Sequence, residues 1–323
     1  MKSKLLILFL ASRPKFLVAS AAPVLVGSAL AFATAGTFSL HLFILALLAI
    51  MFLHSGANIA NDYFDHTSRN DWLNQNPTPF SGGRRYIQQG ILSPRTTLLL
   101  SLFALAIGSV IGILIVYLTR SIFILILGLI GLLGGFFYTA PPLRLGYRSA
   151  GEPVIAFLFG ILPVYGSYYL QIQTIDIIPH KVWLMPLLPA VIVGILIFLV
   201  ILINEFPDVV ADAAVNKRTL VVRFGVPASV CIYRIALIAS YLIAAAMLLY
   251  RPFIFAGLLY LFTLPVAYIA IKTANKDDLV KLGSTSSLQA GQYRASQLTV
   301  LLHILGTIAL TIGFIISVFP ARI

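Results

Sequence analysis

The sequence predicts an all-α polytopic membrane protein of about nine transmembrane helices, forming one domain over residues 1–323. Three observations predict it. The chain is 60% hydrophobic and 10% charged, with a mean hydropathy of +1.00, a balance foreign to soluble domains. Its apolar residues gather into nine runs close to the roughly 20 residues a helix needs to cross a hydrocarbon core. Lysine and arginine sit almost wholly in alternate connections between those runs. Lipid offers no water to an open backbone, so each run is expected to be helical.

The runs begin near Lys15, Phe38, Thr96, Ser121, Ala150, Trp183, Ala228, Pro252 and Leu298. Of 22 Lys and Arg residues only Arg120, Lys181, Arg251 and Arg322 fall on one face, leaving 18 on the other. One missed helix would scramble that split, and the positive-inside rule places the richer face and the N-terminus in the cytoplasm. The net charge of +12 therefore reflects topology, and nucleic acid is not an expected partner. Met1–Ala11 carries Lys2, Lys4 and a short apolar stretch like a signal peptide, but Arg13-Pro14-Lys15 stands where small residues would mark cleavage. A retained amphipathic N-terminus is expected. Cys231, the single cysteine, supports neither a disulfide nor a thiolate metal site.

Acidic residues follow the same face, which the positive-inside rule does not require. Of ten, only Asp176 falls opposite, while Asp62, Asp65 and Asp71 follow the second run and Asp208 and Asp212 the sixth. Four helices separate the two groups, so both parent helices run the same way, and the stretches resemble two copies of a degenerate internal repeat on one rim.

Helical steps of 100° put Asn58, Asn61, Asp62 and Asp65 within an arc of about 100°. Asp71 would lie on the far side of a continuing helix, so it joins them only if the helix ends near Ser68 or Asn70. Asn204, Asp208 and Asp212 advance by about 40° each, another stripe, with Pro207 expected to kink the helix. Solvated helix ends could explain one such Asp; two matched stripes reaching into apolar helix ends, where uncompensated charge is costly, point to a site. Asn58, Asn61, Asp65, Asp71, Asn204, Asp208 and Asp212 are its candidate metal ligands. Mg²⁺ suits them, since it binds through one or two carboxylates plus phosphate oxygens.

Basic residues close behind each stripe suit a phosphate: Arg84 and Arg85 after Gly82-Gly83, and Lys217 and Arg218 after the second stripe. Tyr138-Thr139-Ala140-Pro141-Pro142-Leu143-Arg144 brings a phenol, a helix stop and another arginine to the same rim. Glu152 is placed either to orient a basic loop residue or, the more common case, to serve structure alone. The five histidines, His41, His54, His66, His180 and His303, form no ligand-spaced pair and are assigned no chemistry.

Asn58-x-x-Asn61-Asp62-x-x-Asp65 and Asn204-x-x-x-Asp208-x-x-x-Asp212, followed by Lys217-Arg218-Thr219-Leu220, resemble the paired motifs of the UbiA superfamily of intramembrane prenyltransferases. The resemblance spans nearly the whole chain, and the doubled Asn and Gly82-Gly83-Arg84-Arg85 are most similar to the menaquinone-pathway branch. It implies nine helices around a central cavity open laterally to lipid. It also implies Mg²⁺-dependent transfer from a polyprenyl diphosphate to an aromatic acceptor, foremost 1,4-dihydroxy-2-naphthoate. In that scheme Asn61 and Asp65 bind one ion, Asp208 and Asp212 a second, and Arg84, Arg85, Arg144, Lys217 and Arg218 hold the diphosphate. Asp62 assists deprotonation or supports the ligands, and Tyr138 with Tyr165, Tyr168 and Tyr169 either faces the cationic carbon or, as is commoner for an aromatic in a membrane helix, serves packing. The branch has Gly where this chain has Arg69 and Asn216. Other acceptors of the superfamily (a benzoate-type ring, a chlorophyll precursor, haem or a glycerol phosphate) and an ion-coupled secondary transporter are the competing readings.

Overall fold

The computed structural model describes residues 4–75, 77–173, 183–274 and 286–318. Lys2, Asp176, His180, Lys181, Lys276, Lys281 and Arg322, used in the charge analysis or the histidine survey, lie outside them. The helices are α1 (Lys4–Ala11), α2 (Pro14–Ala35), α3 (Leu40–Thr67), α4 (Asn70–Leu73), α5 (Pro94–Thr119), α6 (Ile122–Phe137), α7 (Gly151–Ile172), α8 (Leu187–Glu205), α9 (Val209–Ala214), α10 (Leu220–Met247), α11 (Ile254–Leu261), α12 (Leu264–Thr273) and α13 (Ser286–Ser317). Among the described residues seven are long and apolar enough to cross a membrane, and α11 with α12, bent by 47°, makes an eighth. The expected fourth span, α6, has only 16 residues, about 24 Å at 1.5 Å per residue, so the count of nine is not reached on length.

Helices α2, α8, α10, α11 and α13 share the dense core, where Leu196, Leu199, Leu202, Tyr233, Tyr260 and Phe314 are fully buried. Gly160 of α7 faces Gly194 of α8 so closely that a Cβ on Gly160 would lie 2.6 Å from the Gly194 Cα; small residues let helix backbones approach where lipid supplies no hydrophobic drive. Helices α3, α5 and α6 are more open and present large apolar side chains outward, among them Phe103, Val110 and Ile122, as lipid-facing helices do. Between this half and α7 lies an apolar cavity of about 330 Å³.

One expectation changes here and two open alternatives close. Pro207 does not kink a continuous helix. It stands in the turn between α8 and α9, since proline lacks the N–H that would bond back and clashes with the preceding turn. Each acidic stretch thus ends a long helix and passes to a short one, and α4 packs against α9. Tyr165 and Tyr168 pack into the dense core, and Tyr169 stacks on Trp183 with ring centroids 4.9 Å apart; they are packing residues, away from the acidic rim. Glu152 receives the backbone N–H of Leu220 rather than a basic side chain, which fixes the start of α10.

The break after α3 is made by Arg69, at φ 65° in the left-handed region. Asn216 is left-handed too, at φ 57°. L-residues other than Asn and Asp pay roughly 1–2 kcal/mol there. Arg69→Gly is therefore expected to raise the melting temperature of the purified protein, by about 0.5–1 kcal/mol of stability, and Asn216→Gly to raise it less. A lower melting temperature for Arg69→Gly would show that its side chain contributes more than its backbone costs.

Candidate active site

Because α3 stops at Thr67 and Arg69 turns the chain, Asp71 swings back onto the face that carries Asn61 and Asp65. Both acidic stretches then line one cavity of about 190 Å³ at the end of the bundle. Asn58, Asn61, Asp65, Asp71, Asn204, Asp208 and Asp212 all line it, with Tyr138 and Lys217. Farther in, the wall is Ala57, Phe159, Ile197, Val200 and Ile201. His54, Ala57, Gly135 and Phe159 also line the apolar cavity, so the two spaces adjoin.

The carboxylates are held in place from several elements. Lys217 Nζ lies 3.3 Å from Asp212 Oδ1 and 3.6 Å from Asp65 Oδ2, joining the two stretches. Asn70 Nδ2 donates to Asp212 at 2.8 Å and Asn74 Nδ2 to Asp208 at 2.7 Å. Gln88 donates to Asp71, Asn61 to Asp65 at 3.1 Å, and the Tyr147 hydroxyl to Asp65 at 3.2 Å. Asp62 lies behind the lining, in an ion pair with Arg13 and accepting the Arg84 backbone N–H. Gly83, at φ 68°, passes this point, and a Cβ there would stand 2.9 Å from Asp62 Oδ1.

Burial and mutual repulsion shape the titration. Burial, then the charge of Asp65, pushes the Asp71 carboxyl up to about 8. Burial and Asp212 raise Asp208 to about 7 against the opposing pull of Lys217, and burial raises Asp212 as well. Burial works against the Lys217 ammonium, but Asp212 and Asp65 outweigh it and hold its pKa well above the usual lysine range. Raised carboxyls around a retained ammonium describe a cavity with more negative groups than its own cations satisfy.

The donor set fits a hard divalent cation. It is all oxygen, and Asn204 Oδ1 is buried with no hydrogen-bond partner. Among the described residues no three His, Cys, Asp or Glu side chains gather closely enough to hold a metal by themselves, so Asn oxygens and substrate oxygens would complete the coordination, as Mg²⁺ commonly requires.

Four predicted phosphate ligands do not line the cavity. Arg84 Nε donates to the Leu10 carbonyl at 2.8 Å. Arg85 is turned by a φ of 59° onto the Asn74 carbonyl, 3.0 Å away. Arg144 lies exposed over the Tyr147 ring, and Arg218, also exposed, contributes its backbone to Tyr147 and Ser149. The cavity's cations are Lys217 and Arg13. Arg13 was legible only as a loop charge, because no spacing rule links it to Asp62, 49 residues away. Glu205 was not singled out, although at about 100° from Asn204 it falls beside Asp212 on that stripe, and it too lines the cavity. Asn70, Asn74 and Tyr147 were likewise missed; the short polar run of Asn70, Asp71 and Asn74 was their only signal.

Residues 20–282 match the UbiA prenyltransferase family. The chain belongs to that family. This UbiA prenyltransferase is 30% identical to the 1,4-dihydroxy-2-naphthoate octaprenyltransferase of Haemophilus influenzae, over 94% of each chain. It is 28% identical to the 2-carboxy-1,4-naphthoquinone phytyltransferase of Synechocystis, over 81% of this chain and 80% of that one. Its fold is similar to that of a UbiA homolog from Archaeoglobus fulgidus bound to GPP and Mg²⁺, with a TM-score of 0.63, 17% identity, and coverage of 93% of this chain and 97% of that one. The protein is thus an integral, multi-pass membrane enzyme, and the ion-coupled carrier reading is set aside.

Proposed function

We propose that this prenyltransferase moves a prenyl group from a polyprenyl diphosphate to 1,4-dihydroxy-2-naphthoate, with Mg²⁺ and with its acidic rim in the cytoplasm. One observation carries the reading: two acidic stretches, 142 residues apart at their Asn70–Asp212 hydrogen bond, converge on a cavity that adjoins an apolar one. Such a space takes a charged head at the rim and a hydrocarbon tail within. The naphthoate acceptor is supported by the activities of the relatives above.

In this reading Asn61, Asp65, Asp208 and Asp212 hold the cation, with Asp71 beside them. A cation held there would supply charge neutralisation to the diphosphate, so that it could depart as a leaving group. Lys217 adds a fixed positive charge where negative charge develops as the allylic C–O bond breaks. Arg13 fixes Asp62 and the α2 end of the wall. Phe159, Ile197, Val200 and Ile201 keep water from the cationic carbon, and the Tyr138 ring offers it a negative face. The acceptor ring carbon forms the new C–C bond as the allylic C–O bond to diphosphate breaks, and the ring regains its aromaticity by losing the group on that carbon, a proton or its carboxylate as CO2.

Purified protein incubated with Mg²⁺, a prenyl diphosphate and a panel of acceptors, read by mass spectrometry, is expected to yield prenylated naphthoate, and EDTA to abolish it. Product from a different acceptor alone would replace the naphthoate assignment.

A further inference from the structure

Two rim loops meet outside the cavity: residues 138–150 join α6 to α7, and residues 215–219 join α9 to α10. Their backbones are fastened together. The Arg218 N–H donates to the Tyr147 carbonyl at 3.3 Å, the Ser149 hydroxyl donates to the Arg218 carbonyl at 2.7 Å, and Arg148 pairs with Arg218 as a single parallel β-bridge. The junction therefore sets two arginines side by side, and like charges directly opposite each other across paired strands are destabilising. Arg144 comes from the turn that precedes Arg148, whose guanidinium reaches back to the Pro142 carbonyl at 3.2 Å. All three arginines are exposed. Among the described residues no carboxylate lies within 4.0 Å of any of them, because the ion pairs there involve only Arg13 and Lys217 as cations. Backbone costs add to the repulsion: Arg144 at φ 44° and Ser149 at φ 56° are both left-handed, a region disfavoured for residues other than Gly, Asn and Asp.

Three clustered guanidiniums call for an anion, and their surroundings select its class. Pro141, Pro142 and Leu143 stand exposed in the same loop, and that loop leaves α6, whose Ile126, Leu129, Ile130 and Leu133 are exposed on the lipid side. A free phosphate would use the arginines and leave the apolar lip in water. A phospholipid uses both, its phosphate meeting the planar N–H forks of arginine and its acyl chains following α6 into the bilayer. A zwitterionic head group would bring an ammonium among the guanidiniums, so the fitting head group carries net negative charge. Basic pockets where spans meet the membrane surface hold such head groups. We propose that Arg144, Arg148 and Arg218 form a binding site for the head group of an anionic phospholipid, separate from the diphosphate cavity. Its occupant adjoins the reaction site through Tyr147, whose ring centroid lies 5.6 Å from the Arg144 guanidinium and 5.8 Å from Lys217 Nζ. A head group that relieves the repulsion at the junction steadies the backbone that carries Tyr147 and Lys217.

The test follows the melting temperature of the purified protein in a neutral detergent as dioctanoyl phosphatidylglycerol is added, with dioctanoyl phosphatidylcholine and inorganic phosphate as the other two arms. Phosphatidylglycerol is expected to raise it by mass action, and neither of the others to do so at the same concentration. In the double variant Arg148→Gln with Arg218→Gln, the phosphatidylglycerol concentration for half the rise should increase about 25-fold, at roughly fivefold per arginine. Added salt should weaken the wild-type response. Arg120→Gln, which removes a charge at the other end of α6, should respond as the wild type does. An equal rise with phosphatidylcholine overturns the proposal, as does a phosphatidylglycerol response that the double variant keeps in full. A rise with inorganic phosphate that the double variant loses makes this a site for a free anion, and the lipid assignment falls. If the double variant does not fold, Arg148→Gln alone should show the step of about fivefold.

Discussion

Asp208→Asn is expected to lower prenyl transfer by about a thousandfold or more while leaving the metal-free protein as stable as before, or more so. Removing a single preorganised electrostatic group from an active site commonly lowers kcat by roughly 10²–10³, and here the lost charge is also a ligand. Stability moves the other way because burial and Asp212 already push the Asp208 carboxyl up to about 7; a neutral amide relieves that repulsion. The amide carbonyl can still accept the Asn74 bond, which is 2.7 Å in the wild type. Mg²⁺ with a prenyl diphosphate should raise the melting temperature of the wild type by mass action and raise that of Asp208→Asn much less. The pH dependence has a definite sign. Carboxyls with raised pKa hold protons that a cation must displace, so the Mg²⁺ concentration for half-maximal activity should fall as pH rises from 6 to 8, through the values of about 7 for Asp208 and about 8 for Asp71. Full activity in Asp208→Asn, or a Mg²⁺ requirement that grows with pH, would contradict this assignment.

The helices and the acidic stripes were legible in the sequence because both rest on local periodicity. Apolar runs report spans whatever their partners, and steps of 100° bring Asn58, Asn61 and Asp65 to one face without knowledge of any other helix. What surrounds the stripes was not legible. Arg84 and Arg85 lie next to the site in sequence, but left-handed backbone at Gly82, Gly83 and Arg85 turns the loop so that Arg84 gives its backbone N–H to Asp62 and Arg85 sends its guanidinium to the Asn74 carbonyl. Arg13 reaches Asp62 only because α2 packs beside α3. The place of Asp71 hung on one dihedral at Arg69, a residue type that gives no warning of left-handed backbone. Glu205 was within reach of the same argument, since helical steps set it beside Asp212 on the second stripe, and it lines the cavity.

Lys217→Met should be both unstable and inactive, and the two losses should separate in a double variant. The ammonium sits 3.3 Å from Asp212 and 3.6 Å from Asp65 and is itself well buried, with 13% of its side chain exposed. Removing one member of a buried pair leaves an uncompensated charge and costs about 3–5 kcal/mol; here two carboxylates lose their shared cation. Unfolding in detergent without Mg²⁺ should therefore show a large fall in melting temperature. Adding Asp212→Asn removes much of that repulsion, so Lys217→Met with Asp212→Asn should recover stability relative to Lys217→Met alone, a coupling that the double-mutant cycle reads directly. Activity should not recover, because the positive charge beside the leaving diphosphate and the oxygen ligand are then both gone. Lys217→Arg should keep the charge but not the geometry, since a planar fork on a longer stem cannot replace a compact ammonium between two carboxylates; intermediate kcat with near-normal stability is expected. Wild-type turnover in Lys217→Met would remove Lys217 from the reaction and leave it a structural tie between the ends of α3 and α9.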